Sequence, residues 1–429
     1  MKRIISIIMA SLLLLSLAAC SAELGNITNT GKAFAALNLT AAPLLEPQWD
    51  KETPAVNTND FAFNLSAELV KKAGNGNFVC SPFSVWMPLA ALVNGTKTPY
   101  KTQLLEALGV KGISENDLNM YASRTLFTLT NERMKEWGSG EYYNPLRIAN
   151  AIFVDNNVTL KKDFAQKFLD FYRGAAFNVD FSSLDAVDAV NQWASENTDG
   201  LITNVIKKFD PQTVAAIANA IYFSDRWTWE FDAADTKQDT FHAPSGDTTA
   251  EFMLREGDGQ PYYEDDRVQA MPLYFQSGGS LYIIKPKDGD AAGFLQSLTN
   301  DYFQEIQRDT ISATGKLLLP KFKIDSGLIK LPDALIALGI PLFDAKAAPL
   351  SNGVIEEDKP VWLSDAVQKA FIQIDEKGAT AAAVTVLALA GAGMPQPTEP
   401  FEMKCDTPFG FVLTGSSGDV LFTGVVNQP

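Results

Sequence analysis

The chain has 429 residues, of which 46% are hydrophobic and 20% charged, a composition that excludes a disordered protein and indicates a large folded core. Its formal charge of −16 argues against nucleic-acid binding, because a protein that neutralises phosphates carries a basic face. The single histidine, His242, and the absence of a Gly-x-Ser-x-Gly nucleophile motif leave little material for a catalytic triad or a multi-histidine metal site. We therefore expect a protein that is not an enzyme and that uses no metal or cofactor.

The first twenty residues have the features of a signal peptide. Lys2 and Arg3 precede an apolar stretch, residues 4–17, that is too short to span a bilayer comfortably. Residues 17–20, Leu-Ala-Ala-Cys, resemble the lipobox of bacterial lipoproteins, in which cleavage after residue 19 leaves a lipidated cysteine, here Cys20. An ordinary secretory signal cut at a small-residue site is the alternative. Residues 20–55 would then be a lipidated terminus and tether, followed by one domain over residues 56–429.

Helical patterns dominate the first half of this domain. Asn59 and Asp60 can cap a first helix, and Ser81 followed by Pro82 has the form of an N-cap and a first helical residue. Further helices are predicted at 102–108, 162–172, 186–198 and 331–338. Strands are predicted at 218–223, 280–284, 315–324 and 371–374. Because helices and strands segregate instead of alternating, the pattern predicts an α+β domain with large sheets.

Several short motifs in this domain together resemble the serpin family. They are Asn-x-x-x-Ser-Pro-x-Ser at 77–84, Ala-Asn-Ala-Ile-Tyr-Phe at 218–223, Leu-Pro-Lys-Phe at 319–322 and Leu-Phe-Thr-Gly at 421–424. Each motif alone is weak, but their order and spacing are specific. The resemblance implies a serpin-like fold, with helices packed on large mixed or antiparallel β-sheets and an exposed reactive-centre loop. It also implies a single-use inhibitor of secreted serine proteases, which forms a covalent complex with its target.

The hinge that feeds the reactive loop is implied by the resemblance at 376–383. The hinge residues are Glu376, Lys377, Gly378, Ala379, Thr380, Ala381, Ala382 and Ala383. In a serpin, the loop is cleaved and inserts into a sheet as a new strand. No charge occurs between Gly378 and Pro395 and no proline interrupts that stretch, so the loop is compatible with insertion. Without the flanking motifs, an alanine-rich helix followed by a flexible glycine linker would be the simpler interpretation.

The cleavage site implied by the family's spacing from the hinge lies between Ala392 and Gly393. Leu389 and Ala390 are alternatives, and Met394 is the poorest because Pro395 would follow the cut. Small residues at the cut suit a protease with a narrow primary pocket. A protease whose primary pocket bears a carboxylate requires Arg or Lys, and the loop contains neither. Elastase-like and subtilisin-like proteases are therefore the expected targets.

Supporting residues follow from the same resemblance. The residues beneath and at the top of the opening sheet are Ser81, Ser84, Asn219, Trp227, Lys321 and Gln368. Gln368 stands where many relatives have histidine, and its amide can bridge asparagine and serine. Lys321 is expected to contact Glu376 near Trp227.

The complete expectation is a monomeric outer-membrane lipoprotein of the bacterial cell envelope, with surface exposure left open. Its partners are secreted serine proteases and, through the N-terminal lipid, the membrane, but not nucleic acid. The alternative function is that of a non-inhibitory serpin-like binding protein or a plain protease substrate.

Overall fold

The structure is a computed structural model. It describes residues 39–46, 56–130, 134–135, 142–143, 145–198, 200, 206–210, 212–356, 360–379 and 400–429. Helices and strands are numbered in chain order within these ranges. Two segments on which sequence predictions fall, the signal peptide with Cys20 and the loop at 380–399, lie outside the described residues.

Helices are concentrated in the first half of the described chain. They are α1 (Asn59–Val70), α2 (Pro82–Leu92), α3 (Tyr100–Ala107), α4 (Glu115–Thr130), α5 (Lys162–Tyr172), α6 (Leu184–Asn197), α7 (Ala291–Ser297), α8 (Asn300–Asp309) and α9 (Pro332–Ala337). The predicted helix at 162–172 is confirmed residue for residue. The predicted helix at 102–108 begins two residues earlier, at Tyr100, immediately after Pro99.

Strands dominate the second half. They are β1 (Phe78–Cys80), β2 (Met134–Lys135), β3 (Tyr142–Tyr143), β4 (Leu146–Asp155), β5 (Gly174–Val179), β6 (Ala215–Phe223), β7 (Asp225–Arg226), β8 (Lys237–Ala243), β9 (Gly246–Glu264), β10 (Val268–Tyr274), β11 (Ser280–Pro286), β12 (Ile311–Pro320), β13 (Phe322–Asp325), β14 (Ile329–Lys330), β15 (Asp365–Ile374), β16 (Gly378–Ala379), β17 (Phe401–Lys404), β18 (Phe409–Thr414) and β19 (Val420–Val426).

One large sheet, called the central sheet below, has eight strands. Its order is β5-β4-β6-β15-β16-β7, and β13 and β14 also pair with β15. β6 pairs antiparallel with β4 on one side and parallel with β15 on the other. β6 and β15 are buried along most of their length because both faces of the sheet are covered. The central sheet is therefore a mixed sheet in which β6 and β15 are direct neighbours.

A second sheet has nine strands in the order β1-β19-β18-β11-β10-β9-β12-β17, with β8 paired to β9. The two large sheets share a core, in which Phe322 of β13 contacts the rings of Phe409 and Phe411 of β18 at centroid distances of 5.8 and 5.6 Å. β2 and β3 form a separate two-stranded sheet. The predicted α+β fold, with helices on large mixed sheets, is confirmed.

The single strand predicted at 315–324 is wrong. β12 ends at Pro320 in the nine-stranded sheet, and β13 begins at Phe322 in the central sheet. Proline has no N–H for a ladder, and Pro320 lies beyond the last residue of β12 that pairs with β17. Lys321 therefore marks the point where the chain passes from one sheet to the other.

The predicted capping of the first helix is also wrong. The helix begins at Asn59, so Asn59 and Asp60 lie inside it. The Asn59 side chain instead accepts the backbone N–H of Val420 at 2.9 Å, and the Thr58 hydroxyl donates to Asp419 at 2.6 Å. These polar groups attach α1 to the hairpin formed by β18 and β19. The Asn59 side chain thus makes a tertiary contact instead of capping its own helix.

The two cysteines of the domain are core residues, as their isolated positions in the sequence suggest. Cys80 and Cys405 are both free and buried. Burial disfavours the thiolate and raises the pKa of Cys80 to about 11 and that of Cys405 to about 12. Neither thiol is therefore a reactive nucleophile.

Residues 39–46, which belong to the segment assigned to the tether, lie against α4 and α5. The backbone N–H of Leu45 donates to Ser123 of α4 at 2.9 Å, and that of Ala42 donates to Asp170 of α5 at 2.8 Å. Arg173, just after α5, donates back to the carbonyl of Ala42 at 2.6 Å. This part of the predicted tether is thus attached to the folded domain.

Within the described ranges no helix is both long enough and apolar enough to cross a membrane. The same residues contain no group of three or more His, Cys, Asp or Glu side chains placed to hold a metal ion.

Candidate site for loop insertion

The predicted hinge begins with a tight turn at the upper end of β15. The Asp375 carboxylate accepts the backbone N–H groups of Lys377 and Gly378 at 2.9 and 3.3 Å. Gly378 has a φ of +154°, and a Cβ at this position would lie 2.0 Å from the carbonyl oxygen of Asp225. Glycine is therefore required here, because any side chain would collide with backbone.

The turn places the first hinge residues between two strands. Ala379 is opposite Ile374 of β15 and opposite Asp225 of β7, and β16 runs antiparallel to both. Ala379 is fully buried. The hinge thus begins as a short strand that is already paired on both sides at the top of the central sheet.

Trp227 and its neighbours hold the backbone of this turn. The Trp227 backbone N–H donates to Lys377 and its indole N–H donates to Asp375, both at 2.9 Å. The Phe231 N–H donates to the carbonyl of Glu376 at 2.8 Å. The indole is buried and stacks on Phe275 at a centroid distance of 4.4 Å, which fixes its orientation. The predicted position of Trp227 at the top of the sheet is where the structure places it.

The predicted contact between Lys321 and Glu376 is present, with 2.8 Å between the ammonium nitrogen and a carboxylate oxygen. The Thr236 hydroxyl donates to the same carboxylate at 2.8 Å, and Glu251 lies 3.4 Å from Lys321. Burial opposes ionisation of Glu376, but the ion pair and the hydrogen bonds outweigh it and lower the pKa of this carboxyl. Both groups are charged at neutral pH and connect the hinge to the chain between β12 and β13.

The predicted serines meet Gln368 beneath the middle of the sheet. The Gln368 amide donates to the Ser81 carbonyl at 2.7 Å and to the Ser84 hydroxyl at 3.0 Å, and its oxygen accepts the Ser81 N–H at 3.0 Å. The Ser81 hydroxyl donates to Leu421 at 2.6 Å, so it does not cap α2 although Ser81 stands at the N-cap position. All three side chains are fully buried. Gln368 therefore fastens β15 to the start of α2.

The expected bridge from Gln368 to Asn219 is wrong. Both N–H groups of the Gln368 amide are used by the serines, and Asn219 instead donates to Asn150 of β4 at 2.8 Å. The Asn219 side-chain oxygen is buried and has no hydrogen-bond partner. Gln368 and Asn219 are nevertheless direct neighbours across the β6 and β15 pair.

Asn150 is a site residue that the sequence reasoning missed. It is 1% exposed and lies opposite Asn219 in the register of β4 and β6. A signal was available, because Ala-Asn-Ala occurs at 149–151 as well as at 218–220. A polar residue between alanines in two buried strands indicates a pair of asparagines that bond to each other, as the Asn219 amide does to the Asn150 oxygen.

The remaining predicted positions, Thr380, Ala381, Ala382, Ala383, Leu389, Ala390, Ala392 and Gly393, lie outside the described residues.

Comparison with known protein families agrees with this geometry. The sequence model of the serpin family, described as serine protease inhibitor, matches residues 56–429. This chain belongs to the serpin family. Its family is one of inhibitors and not of enzymes, in agreement with the expectation from the sequence.

Individual serpins resemble the chain over most of its length. An uncharacterised serpin-like protein of Thermococcus kodakarensis is 31% identical over 88% of this chain and 87% of that protein. Mouse alpha-1-antitrypsin 1-4 is 30% identical over 87% of this chain and 89% of that protein. The native-state crystal structure of the thermophilic serpin tengpin superposes with a TM-score of 0.79, at 28% identity, over 91% of this chain and 98% of that structure.

Proposed function

We propose that this serpin inhibits serine proteases irreversibly, by cleavage of its reactive loop and insertion of that loop between β6 and β15. The observation that carries the proposal is the position of Gly378 and Ala379: both already pair with β7 on one side, and Ala379 also pairs with β15 on the other. A chain that continued in the same direction would run antiparallel to both β6 and β15. The seated hinge therefore sets both the place and the direction of insertion.

The existing strand register also supports this path. Each residue after Ala379 would pair with the preceding residue of β15 and with the preceding residue of the segment formed by β7 and β6. By that count Thr385 would lie opposite Gln368 and opposite Asn219. These two residues already face each other in the closed sheet. The registers on the two sides are thus mutually consistent, and one inserted strand can satisfy both without a bulge.

The side chains of the loop suit the space that the register assigns to them. Residues directly opposite each other in an antiparallel pair point to the same face, so Ala379, Ala381 and Ala383 would enter on the face that carries Gln368. These small groups meet little steric resistance. Thr385 would follow at the level of Asn219, whose unsatisfied oxygen could accept a hydrogen bond from the threonine hydroxyl. Insertion would therefore satisfy a buried polar group of the closed sheet.

The chemistry of trapping belongs to the protease. Its serine oxygen would attack the carbonyl carbon of Ala392 and release the amine of Gly393, and the proton of the serine would leave on that amine. The product is an ester between the protease serine and Ala392. Insertion of the strand that ends in this ester would carry the protease to the far end of the sheet before water completes hydrolysis.

Elastase-like or subtilisin-like proteases are the proposed targets. The loop segment from 379 to 399 contains no lysine or arginine, and the residues around the proposed cut are alanine and glycine. A narrow apolar primary pocket accepts such residues, whereas a carboxylate-bearing pocket requires a cation.

We also propose that the protein is a lipoprotein of the bacterial outer membrane, anchored by a lipid on Cys20. The support is the sequence Leu-Ala-Ala-Cys at 17–20, after an apolar stretch that follows Lys2 and Arg3. The test is to label producing cells with a radioactive fatty acid. Label should appear in the wild-type protein and be absent from Cys20→Ser, whereas unlabelled wild-type protein would contradict the anchor.

The inhibitory function can be tested together with the cut site. Pancreatic elastase mixed with the full chain should yield an adduct that survives SDS and a C-terminal fragment that begins at Gly393. Ala392→Arg should transfer inhibition from elastase to trypsin, whereas Leu389→Arg serves as the matched control and should not. Cleavage with full protease activity remaining would contradict inhibition and favour a substrate or a binding protein. If only Leu389→Arg inhibits trypsin, the cleavage site lies after residue 389 and not after residue 392.

A further inference from the structure

A basic cleft lies beyond the C-terminal end of α2, whereas Gln368 bonds to Ser81 and Ser84 at the other end of this helix. It has a volume of about 440 Å³ and opens between the turn after α2, the start of α3, the start of α5 and the turn at 352–353. Volumes of roughly 300–1,000 Å³ are typical of small-ligand sites. Four lysines line the cleft, Lys97, Lys101, Lys161 and Lys167, against a single carboxylate, Asp163. Such a concentration of positive charge is unexpected in a chain with a net charge of −16.

The charges of these lysines are only partly compensated. Lys101 forms an ion pair with Glu115, and the ammonium of Lys167 lies 3.8 Å from the same carboxylate. Lys161 donates to the neutral carbonyl of Asn352 at 2.7 Å. Lys97 is exposed and forms no ion pair with any described residue. One carboxylate thus serves two ammonium groups, and the other two have no acidic partner among the described residues.

The shape of the cleft depends on two glycines in close contact. A Cβ on Gly353 would lie 1.6 Å from the carbonyl oxygen of Gly95, and a Cβ on Gly95 would lie 2.5 Å from a methyl group of Val354. The two turns can therefore approach each other only because neither has a side chain there. The first turn of α5, which has no side-chain cap, also faces the cleft and adds partial positive charge to the lysines.

We propose that this cleft binds a small anion that carries a phosphate group with at least two negative charges. Lysine ammonium groups bind phosphate as point charges, and a cleft lined by one sign of charge concentrates anions of the opposite sign. A multiply charged group can contact several lysines at once, which a single chloride cannot. A bound anion would connect α3 and α5 to the turn at 352–353. The site is independent of loop cleavage, because none of its residues belongs to the hinge or to the predicted loop.

The test is calorimetric titration of the purified full chain with sodium pyrophosphate, at an ionic strength held constant with sodium chloride. Saturable binding is expected at one site. The double variant Lys97→Gln, Lys101→Gln should weaken the affinity by about tenfold or more, because two nearby positive charges are lost. Asp163→Asn should tighten binding, because it removes the only carboxylate in the lining.

The matched control is the double variant Lys207→Gln, Lys208→Gln, which removes two exposed lysines outside the cleft and should leave the affinity unchanged. Circular dichroism verifies that each variant is folded. The proposal is overturned if wild type shows no saturable binding, or if the control loses as much affinity as the cleft variant. It is also overturned if Asp163→Asn binds no more tightly than wild type.

Discussion

The strand pairings on the two sides of β6, called seams below, differ in direction, in length and in the side chains that cross them. Toward β4 the pairing is antiparallel and extends over nine residue pairs, and the Asn219 side chain reaches across to Asn150 at 2.8 Å. Toward β15 the pairing is parallel and extends over six residue pairs. Gln368 does not cross to β6, because its amide is bonded to Ser81 and Ser84 below the sheet.

Under the proposed mechanism, the seam between β6 and β15 is the one that opens. Parallel pairing is slightly weaker per residue than antiparallel pairing, and the β6 and β15 seam is also the shorter one. A strand inserted there would replace one parallel seam by two antiparallel seams. The hinge is seated above this seam and not above the other. We propose that closed pairing of β6 with β15 is the less stable arrangement of the central sheet, held until the loop is cut.

The largest expected effect is the stabilisation that follows cleavage. Burial of several apolar loop side chains and formation of two seams should add about 10 kcal/mol to the free energy of unfolding. For a domain of this size, that gain corresponds to a rise in Tm of about 13 °C. Differential scanning calorimetry before and after limited elastase digestion measures it. Equal midpoints for the intact and the cleaved protein would show that β6 and β15 stay paired.

A charge introduced into the inserting part of the loop should convert the inhibitor into a substrate. Thr385→Arg would bring an unpaired cation to the buried level of Gln368 and Asn219, which costs several kcal/mol. Because slower insertion gives water time to release the protease, the amount of inhibitor consumed per protease should rise at least about tenfold. Titration of elastase activity measures this ratio.

Gln396→Arg is the matched control for that experiment. It adds the same charge beyond the proposed cut, in the part of the loop that does not insert, so the ratio should stay at the wild-type value. A similar rise in both variants would mean that the charge disturbs protease docking instead of insertion.

Removal of the Gln368 amide should destabilise the closed sheet. Gln368→Leu removes three hydrogen bonds and leaves the buried N–H of Ser81 without a partner, although the Ser84 hydroxyl still donates to the Ser81 carbonyl, so we expect a loss of about 3 kcal/mol. Gln373→Leu makes the same chemical change on the same strand at a half-buried position and should stay within about 0.5 kcal/mol of wild type. Urea denaturation measures both variants. Equal losses would show that the amide has no special role.

The smallest effect is expected at the ion pair above the seam. Glu376→Gln should cost about 1 kcal/mol at neutral pH, because its partly exposed ion pair with Lys321 is lost. Despite burial, the ion pair lowers the pKa of Glu376 below its ordinary value of 4.5. The ion pair therefore contributes its full stabilisation above pH 4.5, and this contribution is lost as the pH falls through the lowered pKa of Glu376.

The difference in unfolding free energy between wild type and Glu376→Gln should consequently shrink as the pH is lowered from 4.5. Denaturation in urea at a series of acidic pH values measures that difference. Glu256→Gln, at an exposed position, is the control and should show no such trend. A difference that grows toward low pH would contradict the assigned ion pair.

The sequence predicted the parts of the site that depend on local chemistry. Ser81 and Pro82 mark the start of α2. Gly378 was named through the family resemblance, and the structure shows that its backbone position fits only glycine. The structural role of such residues follows from their own backbone preferences and not from distant partners. The contact between Lys321 and Glu376 was accessible as well, but through the resemblance and not through spacing, because 55 positions separate the two residues in the sequence.

Tertiary partners were harder to predict. The strand predicted at 315–324 is divided at Pro320 because its two halves join different sheets, a choice that periodicity cannot reveal. Asn59 was expected to cap its helix, but it binds Val420 instead. Gln368 has the donors to reach Asn219, yet the serines below the sheet use them. In each case a distant part of the chain competes successfully with the local role.

The most direct test of the central claim is to lock the β6 and β15 seam. Ala220 and Lys369 are direct partners across it, so Ala220→Cys and Lys369→Cys, combined with Cys20→Ser, place two thiols at a distance that a disulfide can span. The oxidised protein should be cleaved by elastase without forming an SDS-stable adduct, and reduction should restore the adduct. Adduct formation by the oxidised protein at the wild-type level would contradict opening of this seam.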